Sequence, residues 1–171
     1  MWLLLGFGSL VVGCFGFVLL RGAPYLPTLT KQVTAALDLV DLQPGQTLLE
    51  LGCGDGKVLI AAAERGWNVV GYELNPILAA IAWLRTRRYG KRVRVVCGDF
   101  WTRQWPPAEA IFVFLLDSFM PKLDTKIAQS YVKSTHIVRA GKPLRLVSFA
   151  FQIPGKQAVM QRDGLFLYEY K

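Results

Sequence analysis

The sequence predicts an α/β fold whose sheet is mainly parallel, preceded by one apolar helix. Short segments rich in β-branched residues alternate with longer segments of helical periodicity, which is typical of parallel strands joined by helices. A glycine-rich turn, with Gly52, Gly54 and Gly56, follows the first short segment of the main domain. An Asp-Gly pair at residues 163–164 separates the last two short segments and indicates a terminal antiparallel hairpin.

The first 20 residues favour a membrane-spanning helix. Residues 1–20 contain no charged side chain, and Arg21 follows them directly. An apolar helix of about 20 residues is long enough to cross a bilayer core. No basic residue precedes the run, as one would in a secretory signal. We therefore predict a transmembrane helix, with the basic remainder of the chain on the cytoplasmic side. A buried core helix is the alternative interpretation.

The rest of the chain divides into a connecting segment and one domain. Pro24 and Pro27 predict an extended linker, and Thr30 can cap an amphipathic helix, so that residues 21–43 lead into the domain. Residues 44–171 form the domain itself. Its predicted elements are strand 47–51, helix 57–65, strand 68–73, helix 76–89, strand 93–97, strand 110–116, helix 122–139, strand 144–151 and a hairpin of 157–161 with 165–170.

The glycine-rich turn carries acids that select among nucleotide ligands. A phosphate-binding P-loop is disfavoured because its first glycine would fall on Leu51 and its hydroxyl residue on Val58. A dinucleotide motif needs one more residue between its last two glycines. Glu50 and Asp55 would repel a pyrophosphate and favour a ligand with positive charge, such as the sulfonium and amino groups of S-adenosylmethionine. A glycine-rich turn without a ligand is the alternative.

Two later strand ends carry side chains suited to a nucleoside. Glu73 can accept hydrogen bonds from both ribose hydroxyls, as acids do in other nucleotide-binding α/β folds. Asp99 can accept a hydrogen bond from the adenine amino group, and Phe100 can cover the face of the ring. Taken singly, Glu73 and Asp99 are each better explained as a solvated acid at a strand end than as a ligand-binding residue. Their order along the chain, after the glycine-rich turn, favours one shared site.

The series from Glu50 through the three glycines to Glu73 and then Asp99 resembles the class I S-adenosylmethionine-dependent methyltransferases. The resemblance covers residues 44–171 and implies a Rossmann-like sheet and S-adenosyl-L-methionine as the cofactor. No helix is predicted between the fifth strand and the hairpin, so we expect a trimmed version of that family's seven-stranded sheet. The implied cofactor-binding residues are Glu50, Gly52, Cys53, Gly54, Asp55, Gly56, Glu73, Leu74, Asn75, Asp99 and Phe100.

Three further segments narrow the resemblance. Together with the N-terminal apolar run, residues 24–28, 51–57 and 71–76 are similar to the membrane-anchored protein-lysine methyltransferases that act on the ATP synthase c-subunit and the adenine nucleotide translocase. This resemblance implies a lysine of a membrane protein as the methyl acceptor. Residues 114–119 are only loosely similar to that family, so the resemblance does not carry the identity of the substrate.

Asp117 is the predicted catalytic residue. A lysine has an ordinary pKa of about 10.4 and must lose a proton before it can accept a methyl group. Asp117 follows the fourth strand, where methyltransferases usually face the acceptor, and can position the amine or take its proton. Trp101 and Phe119 are candidate walls of an apolar channel that favours the neutral amine. An acid that caps the next segment is the alternative for Asp117, and core packing is the alternative for the two aromatic residues.

The composition restricts the partners. A net charge of +8 suits nucleic acid, an anionic membrane surface or an acidic partner. Six basic residues between positions 85 and 94 either solvate a helix end or contact anionic lipid headgroups. No nucleic-acid recognition motif is present, so no nucleic-acid partner is expected. The three cysteines and the single histidine lack metal-ligand spacing, so no metal is expected either.

The sequence leaves two other functions open. One is a methyltransferase that acts on a lipid or a quinone-like molecule presented by the bilayer. The other is a non-catalytic, membrane-anchored module that binds the cofactor or nothing. The lack of an Arg-rich transit peptide favours a bacterial inner membrane, with the catalytic domain in the cytoplasm.

Overall fold

Strands and helices alternate along the chain, as the sequence predicts. The computed structural model describes residues 30–132 and 143–170. Short 3-10 segments precede β3 and α4, and a π-helical turn follows α4. The elements in chain order are α1 (Thr30–Val40), β1 (Thr47–Leu51), α2 (Lys57–Glu64), β2 (Asn68–Glu73), α3 (Pro76–Thr86), β3 (Val93–Cys97), β4 (Ala110–Val113), α4 (Met120–Ile127), β5 (Leu144–Phe149), β6 (Met160–Arg162) and β7 (Leu165–Tyr170).

The amphipathic helix that leads into the domain is confirmed. Helix α1 begins at Thr30 and buries Leu37 and Val40 completely. The predicted transmembrane helix of residues 1–20 and the linker of residues 21–29 lie outside the described residues. In the part of the chain that the structure describes, no helix is both long and apolar enough to span a bilayer.

The strands form one sheet in the order β3-β2-β1-β4-β5-β7-β6. The first five strands in this order are parallel, while β7 runs antiparallel to both β5 and β6. The sheet has the seven strands that the sequence predicts, and the expected lack of a helix between the fifth strand and the hairpin is confirmed. Residues 150–159, which connect β5 to β6, contain no helix, and neither do residues 98–109, which connect β3 to β4. Strand β6 runs parallel to β5, since β7 is antiparallel to both, so residues 150–159 make a crossover between parallel strands without a helix.

The sheet separates two apolar cores. Neighbouring residues of β1 point to opposite sides, so Leu48 packs in one core and Leu49 in the other. The first core contains Leu37 of α1, Leu59 of α2 and Ala82 of α3, so these three helices cover the same face. The second core contains the buried residues of α4 and most of the aromatic side chains. Both faces of the central strands are therefore covered, as parallel sheets require.

Two glycines allow unusually close packing beside the glycine-rich turn. A methyl group at Gly56 would lie 3.2 Å from the Cα atom of Ala82, so this glycine lets α2 begin against α3. A methyl group at Gly71 would lie 2.8 Å from Leu59 Cδ2 and 2.9 Å from Cys53 Sγ. Contacts this short are not tolerated, so any larger residue at Gly71 displaces the turn or α2.

The helix ends differ from the prediction at two places. Helix α3 ends at Thr86 instead of residue 89, because the chain enters a 3-10 segment in which Gly90 has φ 56° and ψ −130°. Helix α4 begins at Met120, earlier than predicted, and gives way to the π-helical turn Ala128–Val132. The rest of the predicted helix 122–139 lies outside the described residues.

The strand ends also differ. Strand β4 ends at Val113 instead of residue 116, because its neighbour β1 stops at the opposing Leu51. Strand β5 ends at Phe149, since Ala150 adopts a left-handed φ of 71°. Strand β6 covers Met160–Arg162 instead of 157–161.

The predicted Asp-Gly turn of the terminal hairpin is confirmed. Asp163 and Gly164 have φ values of 51° and 76°. Arg162 pairs directly with Leu165 across them. Two consecutive residues of positive φ are typical of a type I′ turn, which matches the twist of the two strands that it joins.

Candidate functional site

The candidate site lies where three parallel strands end side by side. Leu51 at the end of β1 pairs with Tyr72 of β2, and Glu73 pairs with Cys97 at the end of β3. The backbone N–H of Gly98 then donates to the carbonyl oxygen of Glu73 at 2.8 Å. The residues predicted from separate strand ends are thus brought to one edge of the sheet, at the position where open α/β sheets bind ligands.

The glycine-rich turn is fastened to β2 and leaves an open surface at its first glycine. The N–H groups of Gly52 and Cys53 both donate to the carbonyl oxygen of Tyr72, at 2.9 and 2.8 Å. Gly52 has φ 88°, is exposed, and has no atom within 4 Å of the place a Cβ would occupy. A ligand can therefore approach the backbone here, which a side chain would prevent.

Glu73 holds the turn and the start of α3 together. Its Oε2 accepts a hydrogen bond from Gly54 N at 2.8 Å, and its Oε1 accepts one from Asn75 N at 2.7 Å. The side chain is buried, and burial raises the pKa of Glu73, although these backbone donors act in the opposite direction. Each carboxylate oxygen keeps a lone pair, so the group can also accept hydrogen bonds from two hydroxyls.

Glu50 is the least satisfied polar side chain at this edge. It is buried, and its Oε2 has no hydrogen-bond partner among the described residues. Burial raises the pKa of Glu50 well above its usual value, and the neighbouring carboxylates of Glu73 and Asp55 raise it further. A buried carboxylate without a partner is costly unless something positive compensates it. This arrangement fits a cationic ligand, as the sequence predicts.

Asn75 has a divided role. Its Oδ1 accepts hydrogen bonds from Ile77 N at 2.9 Å and Leu78 N at 3.4 Å, so it caps the start of α3. The side chain is fully buried, yet its Nδ2 has no partner among the described residues. The amide nitrogen is therefore a buried donor that no described residue satisfies. Leu74, the other residue predicted from this segment, is half-buried.

Two predicted residues have side chains occupied elsewhere. The carboxylate of Asp55 forms an ion pair with Arg85, whose guanidinium also donates to the Asp55 carbonyl oxygen at 2.9 Å. The Cys53 thiol packs in the core against Gly71, and burial followed by the charges of Glu50 and Glu73 raises its pKa. At the open surface Cys53 therefore presents backbone only, and the carboxylate of Asp55 is engaged by Arg85.

Asp99 and Phe100 lie in a compact aromatic loop after β3. Asp99 is half-buried, and its Oδ1 accepts a hydrogen bond from Trp101 N at 2.8 Å, which fixes the turn. The Phe100 ring lies 4.6 Å from the ring of Trp101 and 6.5 Å from that of Trp105. Trp105 Nε1 donates to the Phe100 carbonyl oxygen at 2.9 Å. Phe100 is therefore largely buried, and the loop forms a firm apolar wall beside Asp99.

Sequence reasoning missed the two lysines of α4 that face this loop. Lys126 Nζ donates to the carbonyl oxygens of Trp101 and Arg103, at 2.9 and 3.1 Å. Partial burial lowers the pKa of Lys126, although the carboxylate of Asp99 raises it. Lys122 Nζ lies 4.4 Å from the ring centre of Trp101. The spacing of Lys122 and Lys126 on one helix face was visible in the sequence, but nothing in it identified the aromatic loop as their partner.

Because β4 already ends at Val113, Asp117 does not directly follow this strand as predicted. It opens the 3-10 segment Asp117–Phe119, where it is exposed, and its Oδ1 accepts a hydrogen bond from Ser118 N at 2.7 Å. Phe119 follows it and lies 6.1 Å from Trp101, so the two predicted channel residues are neighbours. The exposed carboxylate next to two half-buried aromatic rings is accessible to an amine from solvent.

Comparison with known proteins identifies similar chains. Residues 50–160 match the family model described as the ANTKMT methyltransferase domain. The lysine N-methyltransferase of the ATP synthase c-subunit from Xenopus laevis is 30% identical over 70% of this chain and 54% of its own length. The protein-lysine N-methyltransferase of Saccharolobus islandicus is 30% identical over 82% of this chain and 86% of its own length. The chain thus spans about half the length of the vertebrate relatives that it matches.

A solved structure shares the fold. The RNA methyltransferase from Salinibacter ruber, crystallised with S-adenosyl-L-homocysteine, superposes with a TM-score of 0.71 and 25% identity. The match covers 85% of this chain and 92% of that one. The Rossmann-like methyltransferase fold expected from the sequence is therefore confirmed.

Proposed function

Because this chain belongs to the ANTKMT methyltransferase-domain family, we propose that it transfers a methyl group from S-adenosylmethionine to a lysine side chain of a membrane protein. The observation that carries the proposal is the buried, unpartnered carboxylate of Glu50 beside the open backbone of Gly52. A ligand that combines a positive charge with ribose hydroxyls satisfies Glu50 and uses the remaining lone pairs of Glu73.

The residues of the site divide the work of holding this cofactor. Glu73 accepts hydrogen bonds from the ribose hydroxyls, and Asp99 accepts one from the adenine amino group. Glu50 faces the positively charged end, and Gly52 lets that end approach the backbone. When bound, the cofactor supplies an electrophilic methyl group on a sulfonium. Transfer of that group needs alignment more than acid–base chemistry, so a rigid turn fixed to β2 contributes directly to the rate.

The acceptor side of the proposed reaction lies at Asp117. A protonated lysine has no lone pair, so the amine must be neutral before it reacts. Half-buried aromatic rings at Trp101 and Phe119 favour the neutral form. The exposed carboxylate of Asp117 then orients the amine or accepts its proton.

The membrane part of the proposal comes from residues 1–20. Their lack of charge and their length suit a single span. The positive-inside rule puts the basic domain on the cytoplasmic side, in our proposal that of a bacterial inner membrane. An anchored domain of this kind meets membrane-embedded acceptors at high effective concentration. The names of the relatives that methylate the ATP synthase c-subunit are consistent with an acceptor of that kind.

A fractionation assay tests the proposed function. The full chain is incubated with bacterial inner membranes and S-adenosylmethionine that carries a labelled methyl group, and protein, lipid and RNA are then separated. We expect label in the protein fraction, recovered as N-methyl-lysine after hydrolysis. Label in the lipid fraction would instead identify the lipid or quinone methyltransferase, and label in RNA would also contradict the proposal. A lack of label in every fraction, with cofactor binding intact, would favour the non-catalytic module. A Glu73→Ala variant serves as the control for enzyme-dependent label.

A further inference from the structure

Helix α3 exposes large apolar side chains that its fold does not require. Ile81, Trp83 and Leu84 are 40%, 60% and 52% exposed. The side that packs against the sheet uses mostly small residues, including Ala79 and Ala82. Among the described residues, the other exposed large apolar side chains are confined to the start of the terminal hairpin. We call Ile81, Trp83 and Leu84, with Arg87 and Lys91, the α3 surface.

The segment that carries the α3 surface contributes cations and no acids to its border. Residues 74–98 include six Lys and Arg residues and no Asp or Glu. Three of the six are held by the protein itself: Arg85 pairs with Asp55, Arg88 pairs with Glu64, and Arg92 donates to the Ala63 carbonyl oxygen. Arg87 and Lys91 are exposed and make no hydrogen bond or ion pair with any described residue. Arg87 follows Trp83 by one helical turn, so charge and aromatic ring are adjacent.

We propose that the α3 surface is a contact site for the surface of an anionic lipid bilayer. Exposed aliphatic and aromatic side chains insert at the boundary of headgroups and acyl chains, and an indole ring is well suited to that depth. Arg87 and Lys91 then lie at the level of the lipid phosphates, which attract them. The proposal concerns how the domain meets the membrane, so it holds whichever acceptor the enzyme methylates.

Charge decides among the possible occupants of this surface. A second copy of the chain would bring an equally basic border against the first, because a two-fold contact pairs a surface with itself. Like charges at such a contact repel each other. The position of α3 also agrees with a lipid partner, since α1 and α3 cover the same face of the sheet and the charge-free residues 1–20 precede α1 in the chain.

Tryptophan quenching in vesicles tests the proposal on the full chain. A Trp2→Phe background removes the tryptophan of the apolar run, and Trp67 and Trp105 are buried at 3% exposure. The contribution of Trp83 is then the difference between this background and the same background with Trp83→Phe. Both proteins are reconstituted into phosphatidylcholine vesicles, with or without phosphatidylglycerol, that contain acyl chains brominated near the headgroup. We expect the Trp83 contribution to shift to the blue and to be quenched when phosphatidylglycerol is present.

The controls separate lipid contact from its alternatives. Changing Arg87 and Lys91 to Gln together should abolish most of the quenching, as should 1 M salt, where the Debye length is about 3 Å. A Val159→Trp change in the background without Trp83 puts an indole at a position that is 59% exposed, on the hairpin, and should stay unquenched. Equal quenching at Val159, quenching that ignores phosphatidylglycerol, or an absence of Trp83 quenching would overturn the proposal. So would a concentration-dependent blue shift in detergent without lipid, since it would indicate self-association.

Discussion

At the scale of single residues, the two buried glutamates at the strand ends are satisfied in different ways. Glu73 already accepts two backbone hydrogen bonds, and these hold the glycine-rich turn against the start of α3. Glu50 has an oxygen without a partner among the described residues and lies in the field of two other carboxylates. Glu73 therefore stabilises the shape of the site even without a ligand, whereas Glu50 depends on a ligand to offset its burial.

Glu73→Ala should abolish measurable cofactor binding. The change removes the proposed acceptor of the ribose hydroxyls and also leaves Gly54 N and Asn75 N without their partner. Hydrogen bonds to a charged group contribute about 1.5–3 kcal/mol each, so two of them correspond to a loss of roughly 100-fold or more in affinity. Calorimetric titration with S-adenosylmethionine measures it. Glu64→Ala, at an exposed glutamate of α2, is the matched control and should bind normally. Unchanged affinity in the Glu73 variant would remove this residue from the site.

Glu50 should make the stability of the domain fall as pH rises. Its folded-state pKa is raised, so above the ordinary value of 4.5 the folded protein keeps a proton that the unfolded chain releases. The free energy of unfolding then declines, by up to about 1.4 kcal/mol per pH unit, until the pH passes the raised pKa. Glu50→Gln removes this contribution and should flatten the slope in urea unfolding measured at several pH values. Parallel slopes for the two proteins would contradict it.

Asp117→Asn should lower the turnover number and leave cofactor affinity intact. The carboxylate is exposed and shares no hydrogen bond with Glu73, so its loss should affect only the proposed acceptor side. Positioned proton acceptors contribute about 10²–10⁴-fold in rate, and the amide cannot take a proton. Single-turnover kinetics with the labelled cofactor measure the step. Asp163→Asn, at the exposed hairpin turn, is the matched control, because Asn also tolerates the positive φ there. An unaffected rate would exclude Asp117 from the mechanism.

Part of the site could be predicted from sequence because it depends on position along parallel strands. Glu73 is the last residue of β2 and Asp99 follows β3, and strands that run in one direction end at one edge. The ion pair of Asp55 with Arg85 joins the glycine-rich turn to a helix, and no local pattern encodes it. The same is true of Lys126, whose partners are backbone carbonyl oxygens of a loop. The location of a side chain at the end of a strand was predictable. The partner of a side chain was not predictable where tertiary packing brings that partner from another element.

At the scale of elements, the start of α3 connects stability to the site. Asn75 caps this helix with its side-chain oxygen, while its backbone N–H donates to Glu73. The orientation of the helix is fixed again one turn before its end, where Ala82 packs against Gly56. Any change that disorders the first turn of α3 therefore also weakens the hydrogen bond from Asn75 N that positions the Glu73 carboxylate.

Asn75→Ala should lower the free energy of unfolding by about 1 kcal/mol, since a lost N-cap typically costs this much. It leaves Ile77 N and Leu78 N without their acceptor. Asn75→Ser keeps a cap oxygen and should recover most of the stability. Urea denaturation of the three proteins measures the difference. A Ser variant as unstable as the Ala variant would show that the cap oxygen does not account for the contribution of Asn75 to stability.

The boundaries of the elements show which features the local sequence predicts and which it does not. The Asp-Gly turn and the glycine-rich turn were predictable because each needs positive φ, which few residues adopt. Ala150 also has positive φ, which alanine rarely adopts and which the sequence therefore does not predict. The predicted β5 consequently extended beyond the observed end of the strand. The predicted β4 was too long for a different reason. Apolar residues continue past Val113, but the neighbouring strand β1 ends at Leu51, which pairs with Val113. Apolar periodicity reports burial and is silent on where a neighbouring strand ends.

At the scale of the whole molecule, the described residues contain both the cores and the complete candidate site. A chain that lacks residues 1–20 should therefore fold and bind S-adenosylmethionine like the full chain. Because membrane attachment is proposed to come from that run and from the α3 surface, the truncated chain should become extractable from membranes by salt, whereas the full chain needs detergent. Fractionation and calorimetry measure the two properties.

A longer deletion is the control for this truncation. Removing residues 1–42 also removes α1, whose Ala36, Leu37 and Val40 are fully buried. Loss of large core side chains costs about 2–5 kcal/mol each, which is comparable to the total stability of a domain of about 5–15 kcal/mol. The longer deletion should therefore fail to fold cooperatively. Equal behaviour of the two truncated chains would contradict the assignment of α1 to the domain core.

The position of β7 has a consequence for synthesis of the chain. Strand β7 follows β6 in sequence but lies between β5 and β6, where it pairs with all six residues of β5. As the chain leaves the ribosome, β5 therefore emerges before the strand that covers its outer edge. In that interval a nascent sheet presents unpaired backbone and the apolar side chains that later meet Phe166 and Tyr168, which makes it a target for chaperones and for misassembly with neighbouring nascent chains.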